Sequence, residues 1–217
     1  MIPAARVYLF HTRSVRPAAT AVAGLFGRLR WPVVVPRTSD TRRVPTEVEI
    51  RRLAPHELRE HLDALAAVLR DCVEGGASVS YMAPFPQEEA RAAFEGFAAD
   101  AERGGRLILA AFADGELVGT VQVVLRLPPN QAHRGEIAKL LVRRSARRQG
   151  VAQRLMERAE SEARAEGKTL LVLDTVTGDP AERLYTRLGW NRVGVIPGYA
   201  LYPDGRPCDT TVFWKSI

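Results

Sequence analysis

An α/β fold built on a mixed sheet is the class this chain predicts, and three observations predict it. Leu107 to Ala113 and Glu116 to Leu125 are two apolar, strand-prone runs joined by Asp114-Gly115, the signature of an antiparallel hairpin. The apolar run Ile137 to Val142 leads through Arg147-Arg148-Gln149-Gly150-Val151-Ala152 into an amphipathic stretch, and Thr169 to Leu173 reads as a short buried strand; that order is a parallel βαβ unit. At 217 residues, 46% hydrophobic and 26% charged, the chain can bury one sizeable core.

The remaining elements follow in order. Glu47 to Leu53 alternates as a first strand, and Pro55 opens a helix that carries Leu58, Leu62, Leu65 and Leu69 inward until Gly75-Gly76 ends the region. A second helix runs from about Gln87 to Glu102 and stops at Gly104-Gly105. After the hairpin, Pro128-Pro129-Asn130 breaks the sheet before a strand from about Gly135 to Val142. From Val151 to Glu166 the residues Val151, Leu155, Met156, Ala159 and Ala163 share one helical face, and Gly167 closes it. Asp179 and Pro180 form the cap and first position of another helix. Val193 to Ala200 and Thr210 to Lys215 are the last strands, joined through Pro203-Asp204-Gly205.

The turn from Arg147 to Ala152 carries the chemistry. A strand that passes through such a turn into a helix aims unpaired backbone N–H groups and the positive end of a helix dipole at one point, where a pyrophosphate fits. Two other phosphate-binding patterns fail on spacing. Gly167-Lys168-Thr169 resembles the end of a nucleotide-triphosphate loop, but position 162 is Glu where Gly is needed and the segment ends a helix. The dinucleotide fingerprint fails at Arg148.

At these residues the chain resembles the GNAT family of N-acetyltransferases, whose acetyl-coenzyme A loop reads (Q/R)-x-x-G-x-(G/A) after a strand of the L-x-V type. Arg147, Gly150 and Ala152 occupy its three defining positions, while Arg144 stands where many members have Pro. Ala181 to Trp190 is similar to the family's A-x-x-L-Y-x-x-x-G-(F/W/Y) segment, and the likeness covers roughly residues 46 to 217. It implies acetyl-CoA as cosubstrate and a mostly antiparallel sheet splayed at a central parallel pair, with helices on both faces. It implies that backbone around Leu141 and Val142 holds the pantetheine arm, and that N–H groups from Arg147 through Arg148, Gln149, Gly150 and Val151 to Ala152 hold the pyrophosphate. A narrower likeness, to the tabtoxin-resistance acetyltransferases, rests on Gly75 to Val79, Leu173-Asp174-Thr175, Val193 to Ala200 and Pro203-Asp204-Gly205. It implies a small amino-acid-like amine as acceptor, such as a toxin or antibiotic.

Acetyl transfer to an amine needs a group that takes a proton from the ammonium and one that returns a proton to the departing thiolate. Glu136 lies six residues before Val142 and, with no bulge between them, would share a strand face with Ala138, Leu140 and Val142. Asp174 closes the neighbouring parallel strand. The family likeness makes Glu136 the base, Asp174 a second acid near the amine and Tyr185 the hydroxyl near the coenzyme sulfur. Each has a plainer reading: a strand carboxylate paired with Arg, a turn cap, a core aromatic. Ser78, Tyr81 and Tyr199, in variable segments, are candidate substrate contacts or packing residues. Cys72 and Cys208 have no paired His, so direct transfer is expected over a covalent acetyl-enzyme.

Composition bounds the partners. The net charge of +6 arises in residues 1 to 39, which hold six Arg and no acidic residue, while the remainder holds 25 basic and 25 acidic residues. A balanced domain predicts no nucleic-acid partner. Ala18 to Phe26 is too short to span a bilayer, so residues 1 to 44 read as a basic, poorly ordered extension ahead of a domain at 45 to 217, with no membrane partner. A targeting segment, a surface anchor or an over-called start are the alternatives for that extension. Two isolated cysteines suit a reducing cytoplasm, and His11, His56, His61 and His133 are too scattered for a metal site. A small-molecule amine is the expected partner, of a monomer or homodimer. A peptide or protein N-terminal amine is the alternative acceptor, and a non-catalytic acyl-CoA sensor the alternative function.

Overall fold

A computed structural model describes residues 47–217; the extension expected at residues 1 to 44 lies outside the described residues. The strands are β1 (Val48–Arg52), β2 (Arg106–Ala113), β3 (Glu116–Val124), β4 (Arg134–Val142), β5 (Leu170–Val176), β6 (Asn191–Leu201) and β7 (Pro207–Ser216). The helices are α1 (Pro55–Glu60), α2 (Leu62–Glu74), α3 (Gln87–Glu102), α4 (Val151–Ala165) and α5 (Pro180–Arg187). One seven-stranded sheet has the order β1-β2-β3-β4-β5-β7-β6. Only β4 and β5 run parallel, and every other neighbour is antiparallel.

The parallel pair is splayed. β4 and β5 are in register at three positions alone, Arg134 with Leu170, Gly135 with Leu171 and Glu136 with Val172. Beyond them β4 stays paired with β3 out to Val142 and β5 with β7 out to Val176. The two halves of the sheet therefore part at Glu136 and leave an opening toward the carboxyl ends of both strands.

Alternation in the strands sorts the core into two layers. One face of the sheet carries Leu107, Leu109, Val121, Val123, Ile137 and Leu171 against the apolar stripe of α4 and against Leu184 and Tyr185 of α5. The other face carries Ile108, Ala110, Phe112, Leu141 and Val176 against α1, α2 and α3. Burying a Leu or Phe side chain stabilises by about 1.5–3 kcal/mol, and Leu58, Leu65, Leu69 and Phe94 are almost wholly buried. The hairpin turn has Asp114 and Gly115 both at positive φ, 50° and 81°, as its sequence requires.

Three expectations need correction. The helix opened by Pro55 is interrupted at His61, whose ring packs edge-on against Phe112 at 5.3 Å. The strand expected to end at Leu173 runs on through Val176, because Asp174, Thr175 and Val176 pair with Val212, Thr211 and Thr210 of β7. Asp174 is thus a strand residue and not a turn cap. Glu136, Ala138, Leu140 and Val142 also do not share a face, for a reason that belongs to the site.

Candidate active site

The turn before α4 is open and braced. Gly150 caps the helix at φ 79° and is exposed, and Arg148 also takes a left-handed conformation at φ 63°. The Arg154 amide bonds Gly150 O at 3.1 Å, so the amides ahead of it, of Val151, Ala152 and Gln153, belong to the helix start that has no intrahelical acceptor. A Cβ built on Gly150 meets nothing within 4 Å. Glycine is required there by the backbone, and the space above it is free for a bulky anion. Arg144 shows what replacing a proline provides: its N–H and its Nε each donate to Asp71 of α2 at 2.8 Å. Proline cannot make the first of these bonds.

Arg147 behaves differently from a side chain that grips phosphate. Its Nε donates to Val142 O at 3.1 Å and its guanidinium lies 3.7 Å from Cys72 Sγ, which itself donates to Val142 O at 3.6 Å. A coenzyme arm that bonds this carbonyl has to displace Arg147. What the turn offers an anion is therefore its backbone, with Arg148 the exposed cation of the two.

A bulge in β4 sets the other half of the site. Thr120 pairs with Leu141 but Gln122 pairs with Ala138, so the one intervening residue of β3, Val121, faces two of β4, Lys139 and Leu140. The extra residue falls at Lys139, which holds φ 50°. Left-handed backbone costs a non-glycine residue roughly 1–2 kcal/mol, and the side chain is well anchored: Lys139 Nζ donates to Val79 O at 2.9 Å and Ser80 Oγ at 3.1 Å, and it sits 5.5 Å from the Tyr81 ring centroid. Past the bulge the alternation inverts. By strand pairing Glu136 and Ala138 share a face with Leu141, which packs toward α2 and α3, while Leu140 and Val142 turn to the α4 side; the small Ala138, next to the bulge, also touches the α4-side cluster. Gly119 fits this distortion, since a Cβ there would come 2.9 Å from Leu141 O.

Glu136 is 5% exposed and its Oε1 accepts from Arg134 Nη1 at 2.8 Å; Arg134 also donates to Gln131. The plainer reading of Glu136, a carboxylate paired with Arg, is thus a fact of the structure, and the pair lies beside the opening. Because Glu136 pairs with Val172, Asp174 falls on the same face two residues further along β5. The structure brings these two carboxylates to one side of the splay. Tyr185 stands on the other side. Its ring is wholly buried, 5.9 Å from Trp190 and 5.6 Å from Phe213.

The segment between α2 and α3 roofs the Glu136 face. Ser78, wholly buried, donates to Leu201 O, and the Ala83 amide donates to Pro203 O at 3.0 Å. Two stretches far apart in sequence, 75–85 and 198–203, are thereby joined. Tyr81 packs on Phe85 at 4.5 Å, and burial pushes its phenol above the ordinary value, opposed by Arg106. Tyr199 lies on β6, 42% exposed. Sequence reasoning missed Lys139, Arg106 and Gln122. A lysine inside the apolar run Ile137 to Val142 was the one trace of the bulge. Two surface hollows, one beside Arg52 and Pro55 and one beside Gly104 and Lys168, hold none of the predicted site residues.

Both cysteines are free and buried. Burial pushes the Cys72 thiol up to about 11, with Arg147 opposing. At pH 8 that leaves on the order of one thiolate in a thousand. The folded protein is therefore expected to leave Cys72 unlabelled by a thiol reagent at pH 8 and to expose it only on denaturation, which peptide mapping checks. Rapid native labelling of Cys72 would reopen the covalent route.

The acetyltransferase (GNAT) family model matches residues 69–190. Among solved structures, an N-acetyltransferase from Staphylococcus aureus Mu50 is 22% identical, with a TM-score of 0.66 over 79% of this chain and 99% of that one. A ribosomal-protein-alanine N-acetyltransferase from Brucella melitensis is 22% identical, with a TM-score of 0.67 over 78% of this chain and 99% of that one. The yncA acetyltransferase of Salmonella typhimurium, solved with acetyl-CoA, is 20% identical, with a TM-score of 0.64 over 78% of this chain and 93% of that one. At these identities the likeness establishes the fold. No helix among the described residues is long and apolar enough to cross a membrane.

Proposed function

Because the chain belongs to the GNAT acetyltransferase family, whose model covers more than half of it, we propose that it moves an acetyl group from acetyl-CoA directly onto the primary amine of a small amino-acid-like molecule. The observation that carries this reading is the opening between β4 and β5. The free amides at the start of α4 follow the carboxyl end of one lip, and Glu136 and Asp174 share one face beside it. The catalytic unit we infer is residues 45 to 217, in a reducing cytoplasm.

Acetyl-CoA supplies an activated acyl group. In this reading the amides from Gln149 to Ala152 hold its diphosphate, and the β4 backbone near Leu141 and Val142 guides its arm into the opening. Glu136 takes the proton from the acceptor ammonium, directly or through water, and Asp174 stabilises that ammonium before it ionises. Tyr185 returns a proton to the thiolate through the opening, from the opposite face of the sheet.

A small acceptor is favoured over a peptide by the bonds that join the roof to the 201–203 stretch. They tie the roof to the stretch beside which a peptide acceptor would need a wide cleft. The narrower likeness to tabtoxin-resistance enzymes supports the same class. The test is thiol release from acetyl-CoA with amino acids, amino-acid-like toxins, aminoglycosides and peptides. Turnover is expected with the amino-acid-like amines. Turnover with peptides alone would move the acceptor to protein termini, and coenzyme binding with no turnover on any amine would make the protein a sensor.

A further inference from the structure

Arg106 and Gln122 occur in no motif of the chain, yet they meet in a side-chain hydrogen bond on the Glu136 face. Gln122 is wholly buried on β3, and its Oε1 accepts from Arg106 Nη1 at 2.6 Å. Arg106 is fixed in turn: its Nε bonds Asp100 at 2.7 Å, and its guanidinium lies 4.8 Å from the Phe97 ring centroid. A guanidinium only donates, so the amide oxygen must face it and Nε2 must face away. Gln122 Nε2 is buried and has no hydrogen-bond partner among the described residues. A buried donor left without an acceptor is rare in folded proteins and disfavours the fold that keeps it.

The strand register says where this residue lies. Gln122 pairs with Ala138, and Asp174 pairs with Val212. Carrying the β4 and β5 register two residues past Glu136 and Val172 sets Ala138 across the splay from Asp174. Gln122, Ala138 and Asp174 thus form one row on one face, with a methyl group as its middle. Two strand spacings separate the ends of the row, roughly 10 Å between their Cα atoms and more where the sheet parts.

We propose that Gln122, held by Arg106, is an acceptor-binding residue: its Nε2 takes a carboxylate or carbonyl oxygen of the acceptor, whose amine lies several bonds away over Ala138 beside Asp174 and Glu136. This rests on the acetyltransferase reading and narrows it to amines that carry a second, anionic end. Arg106, its own charge met by Asp100, polarises the amide through its oxygen, so that Nε2 donates more strongly, most of all to a carboxylate.

The experiment compares kcat/KM for 4-aminobutanoate, 5-aminopentanoate and lysine with that for butylamine and pentylamine. It is run in the wild type and in Gln122→Met, a nearly isosteric change without the donor, and Gln122→Asn, which keeps the amide but shortens it. The wild type should prefer the carboxylate-bearing amines by about tenfold or more. Gln122→Met should bring that ratio near one through KM, with the KM for acetyl-CoA unchanged, and Gln122→Asn should fall between. A wild type that accepts plain alkylamines equally well, or a ratio that survives in Gln122→Met, overturns the proposal and leaves acetyl transfer standing. Coenzyme binding without turnover on any of these amines or on those of the wider screen sinks both.

Discussion

Glu136→Gln should lower kcat by about two to four orders of magnitude while the dissociation constant for acetyl-CoA stays within about twofold. The substitution removes the proton-accepting charge and little else. The new amide oxygen can still accept from Arg134, so the 2.8 Å contact that orients the side chain has a replacement. The cradle proposed for the coenzyme is built from other residues, on the far side of the β4 bulge. Arg134 would lose its counter-charge inside a half-buried pair, so a drop in Tm of a few degrees is expected with the fold intact. Asp174→Asn is the comparison that separates the two carboxylates. If Glu136 is the base, Asp174→Asn acts chiefly on the acceptor KM; if Asp174 is the base, the large loss of kcat moves to that variant. Wild-type rates in both would remove carboxylates from the mechanism.

What the sequence makes legible here is local, and what it hides is made by contacts between distant residues. The span from about Gln87 to Glu102 is legible because Gly104-Gly105 close it, a signal that acts within a turn of the helix it bounds. The hairpin at Asp114-Gly115 and the helix start at Asp179-Pro180 are read for the same reason. The extension of β5 through Val176 is imposed by β7, some 35 residues later, and nothing in Asp174-Thr175-Val176 announces it. The bulge is the most consequential case. Its only local sign is Lys139 in an apolar run, and the bonds that hold Lys139 go to Val79 and Ser80, sixty residues earlier.

The candidate site divides along the same line. The α4 turn is legible because an anion cradle of this kind is one continuous segment, from β4 through Gly150 into the helix. The shared face of Glu136 and Asp174 is legible only as far as parity along each strand, and along β4 that parity holds to Ala138 and inverts beyond the extra residue at Lys139. Gln122 and Arg106 meet across a hairpin, their partner face is three strands wide, and neither belongs to a recognisable pattern. Cross-strand contacts of this kind are the part that a motif cannot carry.

Gly150→Glu should weaken acetyl-CoA binding by about a hundredfold or more, roughly 3 kcal/mol, in a protein that still folds. The position takes φ 79°, so any side chain there brings left-handed strain of roughly 1–2 kcal/mol. It brings no collision, since a Cβ on Gly150 meets nothing within 4 Å. The free space that spares the fold is the space a diphosphate needs. A carboxylate there would be drawn to the amides of Val151, Ala152 and Gln153 by the same helix-end field that favours the coenzyme, and it would cap them from within the chain. Anion would then exclude anion, by occupancy and by repulsion. Gly150→Ala separates the two causes, because it carries the strain without the charge and should cost the coenzyme only a few-fold. Calorimetric titration of acetyl-CoA into the three proteins reads all of this directly. Equal affinity in wild type and Gly150→Glu would mean that the diphosphate is not held at the start of α4, and the placement of the thioester beside Glu136 would fall with it.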